Sequence, residues 1–296
     1  SVARAKAQCR FLGIPWHEVN LQEVFHSHVI EPFWRSVSDG LTPNPCVYCN
    51  EMVKWEGLLG VARELSVDLI ATGHYAGVFR SVDGDQICRG KDSAKDQSYF
   101  LYRLTAEQRR RATFPLAGRT KDQVRDFVSK RFEPDLLASR QSQDLCFVHG
   151  SVSNVAKQEL PPRPGNIILA DGTIVGHHGG LHAYTIGQRS GLALSSSHRL
   201  YVLGKRIEQN QLVVGSRDEC LQDRFEAIDL QWQHVPTEAR TSFTADVVAR
   251  FRAKPVKGEI ERISRDRIVV CLNEPIFGVT PGQAVYATAW VKTNFD

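Results

Sequence analysis

A change of hydrophobic period near residue 160 constrains this chain more than any other feature. Before it, apolar residues recur at helical spacing and alternate with short apolar runs; after it, the sequence breaks into short strand-like segments. Residues 2–12 (VARAKAQCRFL) read as a helix stopped by Gly13, because glycine suits the left-handed position that closes a helix. Residues 14–21 (IPWHEVNL) read as a strand. Asn50 can cap a second helix, on which Leu58, Val61, Ala62 and Leu65 fall at helical spacing. That helix runs into VDLIATG at 67–73, an apolar run ending in Thr-Gly, the pattern of a buried parallel strand that delivers a loop. Helix–strand–helix–strand order predicts an α/β domain with its site at the carboxyl ends of the strands.

PPRPG at 161–165 is a turn or linker, and GHHGG follows at 176–180. Beyond it, NIILA, HAYTI, RLYVLG and QLVVG read as short strands, then DRIVVCL at 266–272 and a turn at TPGQ (280–283). Evenly spaced short strands predict small barrels. The expected division is 1–155 for the α/β domain, 156–222 for a small central β-rich domain and 223–296 for a C-terminal β-barrel. A chain of 296 residues, 42% of them hydrophobic, can bury cores for all three. No apolar run nears the roughly 20 residues that span a bilayer, so no membrane association is expected. The chain opens on Ser1 in helical sequence without a basic-then-apolar leader, and this start reads as a cut or a processing site. Seven irregularly placed cysteines do not build a disulfide-stapled secreted domain and are expected to be free thiols.

Four stretches carry chemistry. In TPNPCVYCN (42–50), two prolines flanking Asn44 hold the loop extended and present Cys46 and Cys49 just ahead of the predicted helix. A helix N-terminus stabilises a thiolate, which makes Cys49 a nucleophile; the alternative is half of a zinc site, although no second CxxC or HxxxH supplies the other ligands. In QSQDLCFV (141–148), Cys146 is either a buried core thiol or the partner of Cys49 in handling sulfur. In KDSAKDQSYFLYRL (91–104), Lys95, Asp96 and Gln97 precede an aromatic-rich helix. Lys can meet phosphate and Gln a base or ribose; otherwise this is a solvated helix start capped by Asp96. In ATGHY (71–75), Gly73 admits a ligand close to the backbone, and His74 is either part of that site or structural. Residues 101–140 hold ten Lys/Arg against five Asp/Glu, while the whole chain is only +4. This basic stretch, Arg109, Arg110 and Arg111 included, is either a grip on a polyanion or a solvated helical face.

Taken together, TPNPCVYCN, ATGHY, KDQSYFLYRL, FPLAGRTKDQVR, SQDLCFV, PGNI, YTIGQR and TPGQ resemble, in order and spacing, the tRNA-specific 2-thiouridylase family over essentially residues 1–290. The resemblance implies an adenine-nucleotide alpha-hydrolase-like (PP-loop) parallel-sheet domain, a central β-rich domain and a C-terminal β-barrel. It implies an enzyme that uses ATP with Mg to adenylate the C2 oxygen of the wobble uridine of tRNAs for Lys, Glu and Gln. A cysteine persulfide then supplies sulfur. Carried over by position, Cys146 would hold the persulfide and Cys49 would complete transfer through a disulfide with it. Asn44, Pro45 and Cys46 would line the target-base pocket. His74, Lys95, Asp96, Gln97, Arg250, Phe251 and Gln283 would touch tRNA, and Gly73 would contact ATP. A helical tRNA-binding segment would occupy about 101–145. A sulfur-relay or desulfurase donor protein, a monomeric state and a cytoplasmic location are further implied, with mitochondrion and plastid as alternative hosts.

The sequence departs from the family pattern in three places. The SGG-x-DS phosphate loop does not stand in these residues, so ATP binding by this chain alone is expected to be poor. Cys46 stands where many members have Asp; with Cys49 and Cys146 it makes three thiols, an alternative ligand set for an iron–sulfur cluster. Ser139-Arg140-Gln141 stands where Lys-Lys-Asp is common. The alternative to an active thiolase is a catalytically retired tRNA- or RNA-binding relative that serves as a structural or assembly factor.

Overall fold

The computed structural model describes residues 2–132, 145–148, 150, 152–194, 198–233 and 242–288. These form two compact units, one of residues 2–26 with 48–132, the other of 27–47 with the described residues from 145 onward.

In the first unit α1 (Val2–Leu12) forms where predicted. Gly13 ends it at φ +65°, with Ile14 N donating to Cys9 O at 3.0 Å and Gly13 N to Arg10 O at 3.2 Å. Those two bonds satisfy carbonyls that the helix end would leave unpaired. The strand expected at 14–21 does not form. An extended segment becomes a strand only where a neighbour takes its amides, and no described strand pairs with this one. α2 (Gln22–Phe25) follows, and a π-turn, His26–Ile30, carries the chain into α3 (Glu31–Ser38) of the second unit.

The second predicted helix starts at Pro45 rather than at Asn50. α4 (Pro45–Tyr48) passes through a π-turn, Cys49–Trp55, into α5 (Glu56–Glu64). Proline suits a first helical position because its missing N–H would find no partner there anyway. Asn50 therefore caps nothing: it is 3% exposed and its Nδ2 donates to Phe100 O at 3.3 Å. The wide π-turn also rotates the downstream face relative to plain helical spacing. Leu59 and Ala62 point inward, while Leu58 and Leu65 are exposed.

β1 (Ile70–Ala71) pairs in parallel with β4 (Ala112–Thr113), Ile70 opposite Ala112. Between them β2 (Ala76–Phe79) and β3 (Gln86–Arg89) make an antiparallel hairpin. α6 (Ala106–Arg111) and α7 (Lys121–Ser129) both begin with a capping box, Thr105 with Gln108 and Thr120 with Gln123. Trp55, Leu59, Ile70, Leu101, Leu104 and Phe114 form the core with their smaller neighbours. Each fully buried side chain of that size contributes about 1.5–3 kcal/mol.

In the second unit α3 packs with α8 (Val152–Glu159) through Phe33, Val37, Val148 and Ala156. A four-stranded sheet follows, of β5 (Gly165–Ile168), β6 (Ile174–His178), β7 (Tyr201–Arg206) and β8 (Gln211–Gly215), in the order β6-β5-β8-β7. The β5–β8 pair is parallel and its neighbours antiparallel. HAYTI, expected as a strand, is instead a 3-10 turn (Leu181–Ala183) and irregular chain. Ala183 and Tyr184 are both buried there, and no described strand pairs with them. The last sheet is antiparallel: β9 (Leu221–Ile228), β10 (Ser242–Val248), β11 (Val256–Arg262), β12 (Arg267–Phe277) and β13 (Tyr286–Thr288), in the order β13-β10-β11-β12-β9. Ala245, Val247, Ile260, Ile268, Val270 and Leu272 fill its core. The predicted succession of an α/β domain and two β-rich domains stands. Among the described residues no helix is long and apolar enough to cross a membrane.

Candidate functional site

In the first unit the chain leaves the carboxyl end of β1 at Thr72, held there by Thr72 N donating to Thr113 O at 3.2 Å. Gly73 comes next. A Cβ placed on it would meet no atom within 4 Å, so its backbone is open to a ligand. His74 Nδ1 lies 2.7 Å from Thr72 Oγ1, and its ring packs edge-on against Phe114. Burial, with the Lys54 charge, pushes His74 down to about 4, so near neutral pH it is an uncharged hydrogen-bonding ring.

Lys95, Asp96 and Gln97 precede a single 3-10 turn, Ser98–Phe100, rather than a longer helix. The Asp96 carboxylate accepts from Gly90 N at 3.0 Å and from Ser98 Oγ at 2.7 Å. Gln97 N donates to Tyr75 O at 2.8 Å, while its Oε1 accepts from Tyr75 N at 3.0 Å. One residue thus takes both main-chain groups of Tyr75 and fixes the loop beside His74.

The three consecutive arginines of the basic stretch differ in burial. Arg109 is 5% exposed, with Nε donating to Asp85 O at 2.6 Å and Nη1 to Leu104 O. Arg111 donates to Val67 O at 2.9 Å and faces Glu107. Of the three consecutive arginines only Arg110 is exposed. For these three arginines both readings, a grip on a polyanion or a solvated helical face, narrow to Arg110, because Arg109 and Arg111 hold main-chain carbonyls. Ser139, Arg140 and Gln141, and with them the end of the segment proposed at 101–145, lie outside the described residues.

In the second unit α3 ends at Ser38, and after Gly40 (φ +77°) the chain turns into the Thr42-Pro43-Asn44-Pro45 loop. Thr42 N donates to Pro281 O at 3.0 Å, and Val47 N to Asn44 O at 3.4 Å. Pro45 is buried and Cys46 half-buried. Because the helix begins at Pro45, Cys46 lies in its first turn. Cys49, 8% exposed, belongs to the first unit, where it opens the π-turn Cys49–Trp55. Cys146 is exposed in a turn closed by Val148 N donating to Leu145 O at 3.1 Å. Leu145 and Phe147 on either side are packed into the α3–α8 cluster. The buried-core reading of Cys146 is overturned: its neighbours are anchored and its thiol faces out. Arg250 and Phe251 stand at a bend after β10, where Arg252 adopts φ +64° and lies over the Phe251 ring. Gln283 closes the TPGQ turn by donating its N–H to Thr280 O at 3.2 Å.

Cys9, Cys88, Cys146, Cys220 and Cys271 are free thiols. Among the described residues no three His, Cys, Asp or Glu side chains gather as metal ligands. Sequence reading did not single out Thr72, which fixes the His74 ring, nor Glu51, which pairs with Arg103 Nε at 2.7 Å. Thr72 stands inside the ATGHY motif and Glu51 in no quoted motif, and for both only the fold supplies the partner.

Three family models match in succession: a tRNA methyl transferase HUP domain over residues 1–150, a tRNA methyl transferase PRC-barrel domain over 153–216, and an aminomethyltransferase beta-barrel domain over 222–287. The chain is thus a HUP-domain protein that carries two β-barrel-type modules. It is 42% identical to the tRNA-specific 2-thiouridylase MnmA of Geobacter metallireducens, over 93% of this chain and 75% of that protein. It is 40% identical to the enzymes of the same name from a Synechococcus strain (95% and 77% covered) and from Chloroflexus aurantiacus (96% and 80%). The chain belongs to the tRNA-specific 2-thiouridylase family.

Proposed function

We propose that this protein is a tRNA-uridine 2-sulfurtransferase that places sulfur on C2 of the wobble uridine of tRNAs for Lys, Glu and Gln. The observation that carries the reading is identity of about 40% over more than nine-tenths of the chain with relatives named for that reaction. The domain division 1–155, 156–222 and 223–296 belongs to the same proposal, as do a sulfur-relay or desulfurase donor protein and a cytoplasmic setting.

ATP, as co-substrate, supplies the activation that turns the C2 oxygen into a leaving group. The open backbone at Gly73, at the carboxyl end of β1, fits a nucleotide approaching closely. On the tRNA side, the loop carrying Asn44, Pro45 and Cys46 receives the flipped base. Its two prolines spare the loop much of the ordering cost, which matters because unstacking alone costs a few kcal/mol. His74, neutral and fixed by Thr72, offers a hydrogen bond rather than a charge. Lys95, Arg250 and Phe251 supply phosphate and stacking contacts, with Asp96, Gln97 and Gln283 beside them.

The outward-facing thiol of Cys146 suits a carrier that must be loaded by another protein. Its persulfide's terminal sulfur attacks C2, and the C2–O bond breaks as AMP leaves. The Cys49 thiolate then attacks Sγ of Cys146. That breaks the S–S bond, leaves the transferred sulfur on the base and joins the two cysteines as a disulfide, which an external thiol reduces.

The test is nucleoside mass spectrometry of unmodified tRNA for Lys, incubated with the protein, ATP and a persulfide donor. 2-Thiouridine should form with the wild type, while Cys146→Ser should give none at unchanged tRNA affinity. Product from Cys146→Ser would remove that cysteine from the role. A wild type that binds tRNA but yields no product would leave a tRNA-binding protein without this chemistry.

A further inference from the structure

The chain that enters the Asn44–Pro45–Cys46 loop is gripped from two sides within the second unit. On one side, Lys205 at the end of β7 donates from Nζ to Gly40 O at 2.7 Å. On the other, Pro281 O accepts from Thr42 N at 3.0 Å. Both approaches use glycines at positive φ. A Cβ on Gly40 (φ +77°) would stand 2.6 Å from Ile207 Cδ1, and one on Gly282 (φ +86°) 2.9 Å from Leu41 Cβ. Leu41, Ile186, Ile207 and Pro281 line the cleft at this point. An apolar lining strengthens the hydrogen bond it surrounds. Burial also pushes the Lys205 ammonium down to about 8. A shorter apolar residue would fill the spot without that desolvation, so the cation is kept against a cost.

We infer that Lys205 and the 280–283 turn clamp residues 40–42 and so set the position of the loop that carries Asn44, Pro45 and Cys46. Lys205 is then a positioning residue for the sulfur transfer proposed above, on which this inference rests. Transmission is direct, because Pro43 follows Thr42 and Pro45 opens α4, which leaves few rotatable bonds between the clamp and Cys46. Gln283, assigned above to tRNA, closes the very turn that holds Thr42, so one small turn fixes both a candidate RNA contact and the candidate base loop.

Two readouts on Lys205→Met test this, one of which needs no catalysis. The first is the alkylation rate of each cysteine by iodoacetamide, followed by peptide mass spectrometry. The second is the split of thiolation kinetics into kcat and tRNA affinity. Cys46 should alkylate several-fold faster than in wild type while Cys9 and Cys271 keep their rates, and kcat should fall about tenfold at unchanged tRNA affinity, because misplacement far from the chemistry acts on the rate. Lys205→Arg, which keeps a donor, should lie between wild type and Lys205→Met in both. If Lys205→Met does not fold, Gly282→Ala strains the same segment from the opposite side and should give the same Cys46-selective change. An unchanged Cys46 rate, a uniform rise at all cysteines with a lower melting temperature, or faster Cys46 alkylation without loss of kcat would each overturn the inference. Faster Cys46 alkylation in a protein whose wild type forms no 2-thiouridine would instead sink the proposed function and leave the clamp standing.

Discussion

His74 is held neutral by its surroundings, and this has a consequence for stability that can be signed. Its folded value, about 4, lies below the ordinary 6.5. As pH falls through 6.5 the unfolded chain takes up a proton that the folded chain refuses, so stability declines from there down to about pH 4 and then levels off. At roughly 1.4 kcal/mol per pH unit, and discounting for partial exposure, this amounts to about 2–3 kcal/mol. His74→Gln removes the titration. Urea unfolding at pH 7 and pH 4.5 should therefore show a smaller acid loss in the variant than in wild type; equal losses would mean that the ring is not buried neutral. A lone histidine after Thr-Gly gave only half of this account. The position at a strand end was legible, whereas the burial and the Lys54 charge that enforce neutrality come from the fold.

At the scale of elements, α6 separates charge that binds from charge that builds. Arg109 bridges the Asp85 and Leu104 carbonyls from a position 5% exposed, while Arg110 beside it faces solvent. Leaving buried carbonyls without donors costs about 1–3 kcal/mol each. Arg109→Ala should therefore lower unfolding free energy by about 3 kcal/mol, whereas Arg110→Ala should stay within about 0.5 kcal/mol. Only Arg110→Ala should reduce the salt slope of tRNA binding, by about one unit at most. Equal effects of both on the slope, with stability intact, would return the whole triplet to the surface. Composition could not make this distinction, since it counts charges without placing them. Local signals did well where the determinant is local: Gly13 ended α1, and QLVVG became β8 without a shift. They failed where a neighbour decides. Residues 14–21 have strand-like residues but no described partner, and Pro45 pre-empted Asn50 as the start of its helix.

At the scale of the whole molecule, each unit has a core of its own, which makes their stabilities separately addressable. Leu101 is fully buried in the first, and Val270 in the last sheet of the second. Leu101→Ala should cost the first unit about 2–5 kcal/mol, and Val270→Ala should fall instead on the second. Hydrogen exchange read peptide by peptide would show each loss confined to its own unit; a uniform loss across the chain would mean a single cooperative fold. The break near residue 160 and the three-part order were legible from the hydrophobic period alone. The grouping of 27–47 with residues more than a hundred positions later was not, because contacts such as Lys205 to Gly40 leave no trace in either local stretch.

The parallel seam in the central sheet also orders its assembly. β5 with β6 and β7 with β8 are hairpins whose strands are neighbours in sequence, while the seam joins Asn166 to Gln211 across both of them. Short loops close in microseconds and distant ones later. The two hairpins can therefore form as soon as each has left the ribosome, and the seam must wait until both exist. Until then it exposes two open strand edges, and through that interval the nascent chain is most in need of protection.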